Sequence, residues 1–107
     1  MNNLPDKPTL ADLQAYIKAI CKQRGWDKNS DTEIFMLLME EVGELAKAIR
    51  NTKNMYQEKG KEGALNNLKE EFADVLNYLL DLANYFNVDL EQAFREKDKI
   101  NRNREWH

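Results

Sequence analysis

Residues 36–50 read MLLMEEVGELAKAIR, and residues 69–83 read KEEFADVLNYLLDLA. Neither stretch contains proline, and both repeat apolar residues three and four positions apart, the spacing of one helix face. The first stripe starts upstream at Ile34 and runs through Leu37, Leu38, Val42, Leu45 and Ile49. The second runs through Leu65, Leu68, Phe72, Val75, Leu79, Leu82, Ala83 and Phe86. Each stretch also carries two acids three residues apart, Glu41 with Glu44 and Glu71 with Asp74. At that spacing each pair projects from one face of its helix.

The flanking residues supply the ends. Ser30 followed by Glu33 forms a capping box that starts one helix, which runs to near Thr52. The polar segment from Tyr56 to Gly63, with two glycines, reads as a loop, and the next helix runs from about Ala64 to Phe86. Asn87 supplies a left-handed stop. Upstream, Thr9 with Asp12 opens a helix striped by Leu10, Leu13, Ile17 and Ile20, and Gly25 ends it. Asp89 with Gln92 caps a last helix through Ile100. No alternating strand pattern and no solenoid repeat competes. The spacing therefore predicts an all-α fold of four helices, with residues 1–8 as a flexible arm and 9–107 as a single domain. The similarity of EEVGEL (40–45) to EEFADV (70–75) fits a duplicated helix hairpin.

Composition narrows the function. The chain has 107 residues, 33% charged and 42% hydrophobic, which suits one charged, soluble domain. Its net charge of −3 argues against stable nucleic-acid binding. A single cysteine, Cys21, permits no intrachain disulfide and fits a reducing compartment. With no long apolar run and no signal-like start, the expectation is a cytoplasmic protein without membrane attachment.

The acids lie on the shoulder of the apolar stripes. Glu41 is four residues after Leu37 and four before Leu45, and Glu71 is three after Leu68 and four before Val75. Glu40 and Glu70 point more to solvent. Carboxylates near a core are costly unless paired or bound to metal, and cationic neighbours are scarce, with only Lys47 three beyond Glu44. A shared cation satisfies all four, and oxygen-only ligands favour Mg²⁺, with Mn²⁺ as a substitute. The competing reading is a pair of solvated helix faces. A di-iron carboxylate bundle needs Glu-x-x-His motifs, and the only histidine is His107.

These motifs, in this order and helical setting, resemble the MazG-like branch of the all-α nucleoside triphosphate pyrophosphohydrolases, over roughly residues 10–105. The family pattern is E-x-x-E, a variable spacer and E-x-x-D, here Glu41, Glu44, Glu71 and Asp74. Lys97, Asn101 and Arg104 are similar to the family's K-x-x-x-N-x-x-R element, and Trp26-Asp27 resembles the dCTP pyrophosphatase members. The resemblance implies a four-helix bundle assembled as a homodimer or homotetramer. It also implies Mg²⁺-dependent hydrolysis of an NTP or dNTP to monophosphate and pyrophosphate. Carried over, Glu41, Glu44, Glu71 and Asp74 hold the metal, and Lys97, Asn101 and Arg104 hold phosphates or sugar. Tyr78 lines the nucleoside pocket and Trp26 stacks on a base. Glu41 helps position the attacking water, with Glu40 as a second candidate base. The dCTP-specific members carry a further tryptophan about two turns after E-x-x-E. Arg50-Asn51-Thr52-Lys53 stand there instead, which leaves base choice open.

Plainer roles compete for several residues. Trp26 can cap the core, Tyr78 can be packing, Lys97 and Arg104 can simply solvate a charged segment, and Asn101 can be a helix C-cap. Met36, Met39 and Met55 read as core or interface filler. The alternative functions are a non-catalytic helical interaction module and a related phosphoribosyl-ATP or dUTP pyrophosphohydrolase.

Overall fold

The computed structural model describes residues 3–53 and 64–104, with side-chain exposure from residue 67 in the second segment. The expected Tyr56–Gly63 loop, Met55, His107 and the Leu65 side chain lie outside the described residues. Four helices follow one another: α1 (Leu10–Gln23), α2 (Asp31–Thr52), α3 (Ala64–Tyr85) and α4 (Leu90–Arg102). The described residues include no strand. The arrangement is all-α, as the periodicity requires.

The helix starts are set by side chains that satisfy otherwise unpaired backbone N–H groups. At Thr9 and at Ser30 the hydroxyl accepts from the third helical N–H, and Asp12 or Glu33 accepts from the cap N–H, so both capping boxes are complete. Asp89 accepts from the Gln92 N–H to start α4. The α1 and α3 ends are equally regular. After α1, Gly25 adopts φ +71°, its N–H bonds Lys22 O, and the Trp26 N–H bonds Cys21 O. After α3, Asn87 adopts φ +56°, its N–H bonds Asn84 O, and the Val88 N–H bonds Ala83 O. Both are Schellman motifs, built on the residue types that tolerate the left-handed region. Two boundaries differ from expectation. Helix α3 stops at Tyr85, one residue early, because Asn87 needs a non-helical predecessor as its cap. Helix α4 continues past Ile100 to Arg102, where Asn103 rather than Asn101 is the C-cap.

The chain forms two compact units. One comprises Met1–Lys28 and Leu80–His107, and the other Asn29–Leu79. Helix α3 contributes its first part to the second unit and its last turns to the first.

In the first unit α1 packs on α4, with Leu80 and Ala83 buried. Gln14, a polar residue within the apolar stripe of α1, is buried as well. Its Nε2 donates to Val88 O, its Oε1 accepts from the Leu90 N–H at 3.0 Å, and its own carbonyl accepts from Asn84 Nδ2 at 3.0 Å. One side chain thus pairs the backbone on both sides of the α3–α4 corner, where neither helix can satisfy its own groups. Glu91 accepts from the Ala11 N–H and adds a second tie between α1 and α4.

In the second unit Ile34, Leu38 and Ala48 of α2 are buried, and Leu37, Leu45, Leu68 and Val75 are half-buried. The covered faces are narrower than the apolar stripes. Val42 and Ile49 on α2, and Phe72, Leu76 and Leu79 on α3, stay exposed. In the first unit Phe86 does too. Met36 and Met39 are exposed and are not core filler. The reason on α3 is rotational. The covered side of its first part carries Leu68, Glu71, Asp74, Val75 and Tyr78, so the acids and one edge of the stripe face inward. The other edge faces out.

Candidate metal centre

Glu41 lies between Leu38 and Leu45 on the covered face of α2 and is half-buried there. It meets Glu71 and Asp74 of α3. One carboxylate oxygen from each of Glu41, Glu71 and Asp74 lies within 4.8 Å of the others, and all three residues are half-buried. Glu71 Oε2 is buried with no hydrogen-bond partner. Burial first, then the charges of Asp74 and Glu71, a side-chain hydrogen bond with Glu71 and the charge of Glu44 push the Glu41 carboxyl above its ordinary pKa. Like charges this close disfavour the ionised form of Glu41.

The donor set fits a hard divalent ion. It is all carboxylate oxygen, and the spacing lets one cation touch several of these oxygens at 2.0–2.6 Å, the usual range for Mg²⁺ and Ca²⁺. The orphaned Glu71 oxygen is a buried acceptor that such an ion would satisfy. Glu44 does not join the group and is exposed. The three-residue spacing that keeps Glu71 and Asp74 together on α3 does not bring Glu44 in on α2. Its charge still reaches Glu41. Glu40 and Glu70 are exposed, as their positions imply.

The remaining expected site residues are placed as follows. Tyr78 is half-buried on α3, one turn beyond Asp74. Trp26, Lys97, Asn101 and Arg104 belong to the first unit. Lys97 and Arg104 are exposed, and Asn101 is half-buried. Trp26 is 54% exposed, which removes the core-capping reading. Arg24 lies over its ring, 5.0 Å from the centroid. Arg24 is not legible in the sequence, because nothing in a charged helix end marks one cation as an aromatic partner. Gln14 has a signal, a polar residue amid Leu10, Leu13 and Ile17. Asp81 has none. Burial raises its pKa, with a hydrogen bond from Cys21 acting in the opposite sense.

A carboxylate cluster shared by two helices, with oxygen as its only donor atom, defines a helical protein with a group of acids that could hold a divalent ion. Comparison with known proteins makes the class specific. Residues 29–106 match the MazG nucleotide pyrophosphohydrolase domain, and the chain belongs to this family of hydrolases acting on phosphoanhydride bonds. It is 37% identical over 98 residues to the dATP/dGTP diphosphohydrolase of Cyanophage S-2L, covering 92% of this chain and 78% of that one. It is 35% identical over 105 residues to dCTP pyrophosphatase 1 of Mus musculus, covering 92% of this chain but only 59% of that protein. The crystal structure of YPJD from Bacillus subtilis shares the fold, with a TM-score of 0.79 at 28% identity, covering 94% of this chain and 100% of that one. No helix among the described residues is long and apolar enough to cross a membrane.

Proposed function

We propose that this chain is a cytoplasmic, Mg²⁺-dependent pyrophosphohydrolase that cuts a nucleoside or deoxynucleoside triphosphate between the α and β phosphates, releasing monophosphate and pyrophosphate. The observation that carries the proposal is the Glu41–Glu71–Asp74 cluster with its unpartnered buried oxygen. Mg²⁺, or Mn²⁺ in its place, would be held by these three, with Glu44 as an outer fourth carboxylate. When bound, it supplies neutralisation of phosphate charge that otherwise repels a nucleophile.

The chain's own groups do the rest. Glu41 is the residue best set to orient water, since it is central on the covered face of α2 and meets both α3 acids. Glu40, exposed one residue before it, is the second candidate base. Lys97 and Arg104 would balance the charge of the departing pyrophosphate, and Asn101 would hold phosphate or sugar. Tyr78 would line the nucleoside side, and Trp26 would stack on the base. The relatives named for dCTP and for dATP and dGTP support a deoxynucleotide substrate without choosing the base. Arg50 to Lys53 provide no second indole there, which favours tolerance among bases over dCTP selectivity.

The exposed Phe72, Leu76 and Leu79, which follow one another at helical spacing on α3, support a homodimer or homotetramer, because an exposed apolar strip of this kind often meets a partner. The test is product analysis on a panel of NTPs and dNTPs with Mg²⁺. Monophosphate and pyrophosphate in equal amounts are expected, abolished in Glu41→Gln. Diphosphate with orthophosphate would mean that a different bond is cut.

A further inference from the structure

Trp26 presents an unusual combination: a large, exposed indole on a backbone with little freedom. Its N–H closes the Schellman turn onto Cys21 O at 2.7 Å, and Gly25 before it is fixed at φ +71°. The residue at this position commonly packs back on its own helix. Here Trp26 as a residue is 54% exposed, and the Arg24 guanidinium lies over one face of the ring, 5.0 Å from the centroid. Arg24 is the C-cap residue of α1, so the same turn fixes both partners.

An arginine over an indole is attracted by the ring's negative face and restricts its rotation. It also occupies that face. A planar ligand can then stack only on the opposite one. A single open π face offers stacking to every nucleobase and hydrogen-bond selection to none.

We infer that Arg24 is a positioning residue for nucleotide binding: it clamps one face of Trp26 and leaves the other as a one-sided, base-tolerant stacking platform. This rests on the proposed role of Trp26 at the base. Arg24 acts through the indole and touches no reacting atom.

The test uses the full chain carrying Trp106→Phe, so that Trp26 is the sole indole reporter. Calorimetry with α,β-methylene analogues of dATP, dGTP, dCTP and dTTP reads affinity without turnover, and pyrophosphate release reads KM and kcat. Arg24→Ala is expected to weaken all four analogues by about three-fold and to raise KM with kcat unchanged. The near-UV dichroism of Trp26 should shrink while the far-UV helix signal stays. Arg24→Lys, which keeps the charge but loses the planar stack, should fall between Ala and the parent. In a Trp26→Leu background Arg24→Ala should cause no further loss. An equal loss in that background, or no loss in the parent, overturns the clamp while leaving the stacking role of Trp26 intact. If Trp26→Leu alone leaves affinity unchanged, the stacking role falls and the clamp with it, whereas pyrophosphate release still stands as the test of the hydrolase reading.

Discussion

Glu41 stands where the helix would ordinarily place a leucine. Its neighbours along the covered face are Leu38 and Leu45, and it meets Glu71 and Asp74. A metal that binds this cluster binds the folded chain alone. At a free ion concentration a hundred times its Kd it should stabilise the fold by about 2.7 kcal/mol. Thermal melts with and without Mg²⁺ should show that shift in the parent chain and a greatly reduced one in Glu71→Gln. Glu44→Gln should lose less of the shift than Glu71→Gln, since Glu44 lies outside the group of three. The inward position of Glu41 was legible from its distance to Leu37 and Leu45. The outward position of Glu44 was not, because the same three-residue spacing keeps both acids of α3 in the group and only the neighbouring helix decides which acids are covered. A second residue-level consequence concerns Cys21 and Asp81. Burial raises Asp81 from its ordinary value of 3.8, and burial with the Asp81 charge raises the Cys21 thiol from 9.0. A carboxyl whose folded pKa is raised adds stability that is full below the unfolded pKa and is lost as pH rises through the folded one. Asp81→Asn should therefore flatten the decline in Tm as pH rises above about 4. It should also speed Cys21 modification by a disulfide reagent at pH 8, because the thiolate becomes easier to form.

At the scale of elements, the ends of the helices carried the clearest sequence signals. Thr9, Ser30, Asp89, Gly25 and Asn87 each act locally, through a side-chain acceptor or a left-handed φ, so no distant residue is needed to read them. Gly25 gives a clean measure of this. A Cβ built there meets nothing within 4 Å, so Gly25→Ala suffers only from the backbone conformation. The expected loss is about 1 kcal/mol, with Gly25→Asn losing less, read by urea unfolding at constant m-value. Faces were less legible than ends. The α3 stripe, taken as one band, is split by the structure into a covered edge with Leu68 and Val75 and an exposed edge with Phe72 and Leu79. Periodicity gives a direction for the apolar side, but a stripe wider than its neighbour is divided by the neighbour's position. Gln14 illustrates the same limit. Its role depends on Val88, Asn84 and Leu90, more than sixty residues away in sequence. Gln14→Leu should destabilise by about 1–3 kcal/mol, since it strands the Leu90 N–H and the Val88 carbonyl.

At the scale of the whole molecule, the apolar residues left uncovered decide the last question. Phe72 is 57% exposed and Leu79 43%, one turn either side of Leu76, while Glu71 and Asp74 of the same helix turn inward. A helix with two acids half-buried and its phenylalanine exposed departs from the usual division of polar and apolar surface. A second copy of the chain that covers this strip restores it. The metal cluster and the strip share α3 but point about 100° apart, since Phe72 follows Glu71 directly. An interface on the strip can therefore be weakened without altering a ligand. Leu79→Lys, eight residues beyond Glu71, adds a charge to the strip while the carboxylate cluster keeps its residues. Sedimentation should show the parent as a dimer or tetramer and Leu79→Lys shifted towards monomer. If assembly supports the site, pyrophosphate release should fall with the oligomer fraction and recover as protein concentration is raised. Unchanged sedimentation in the variant, or a monomeric parent at all concentrations, would remove the strip as the assembly surface.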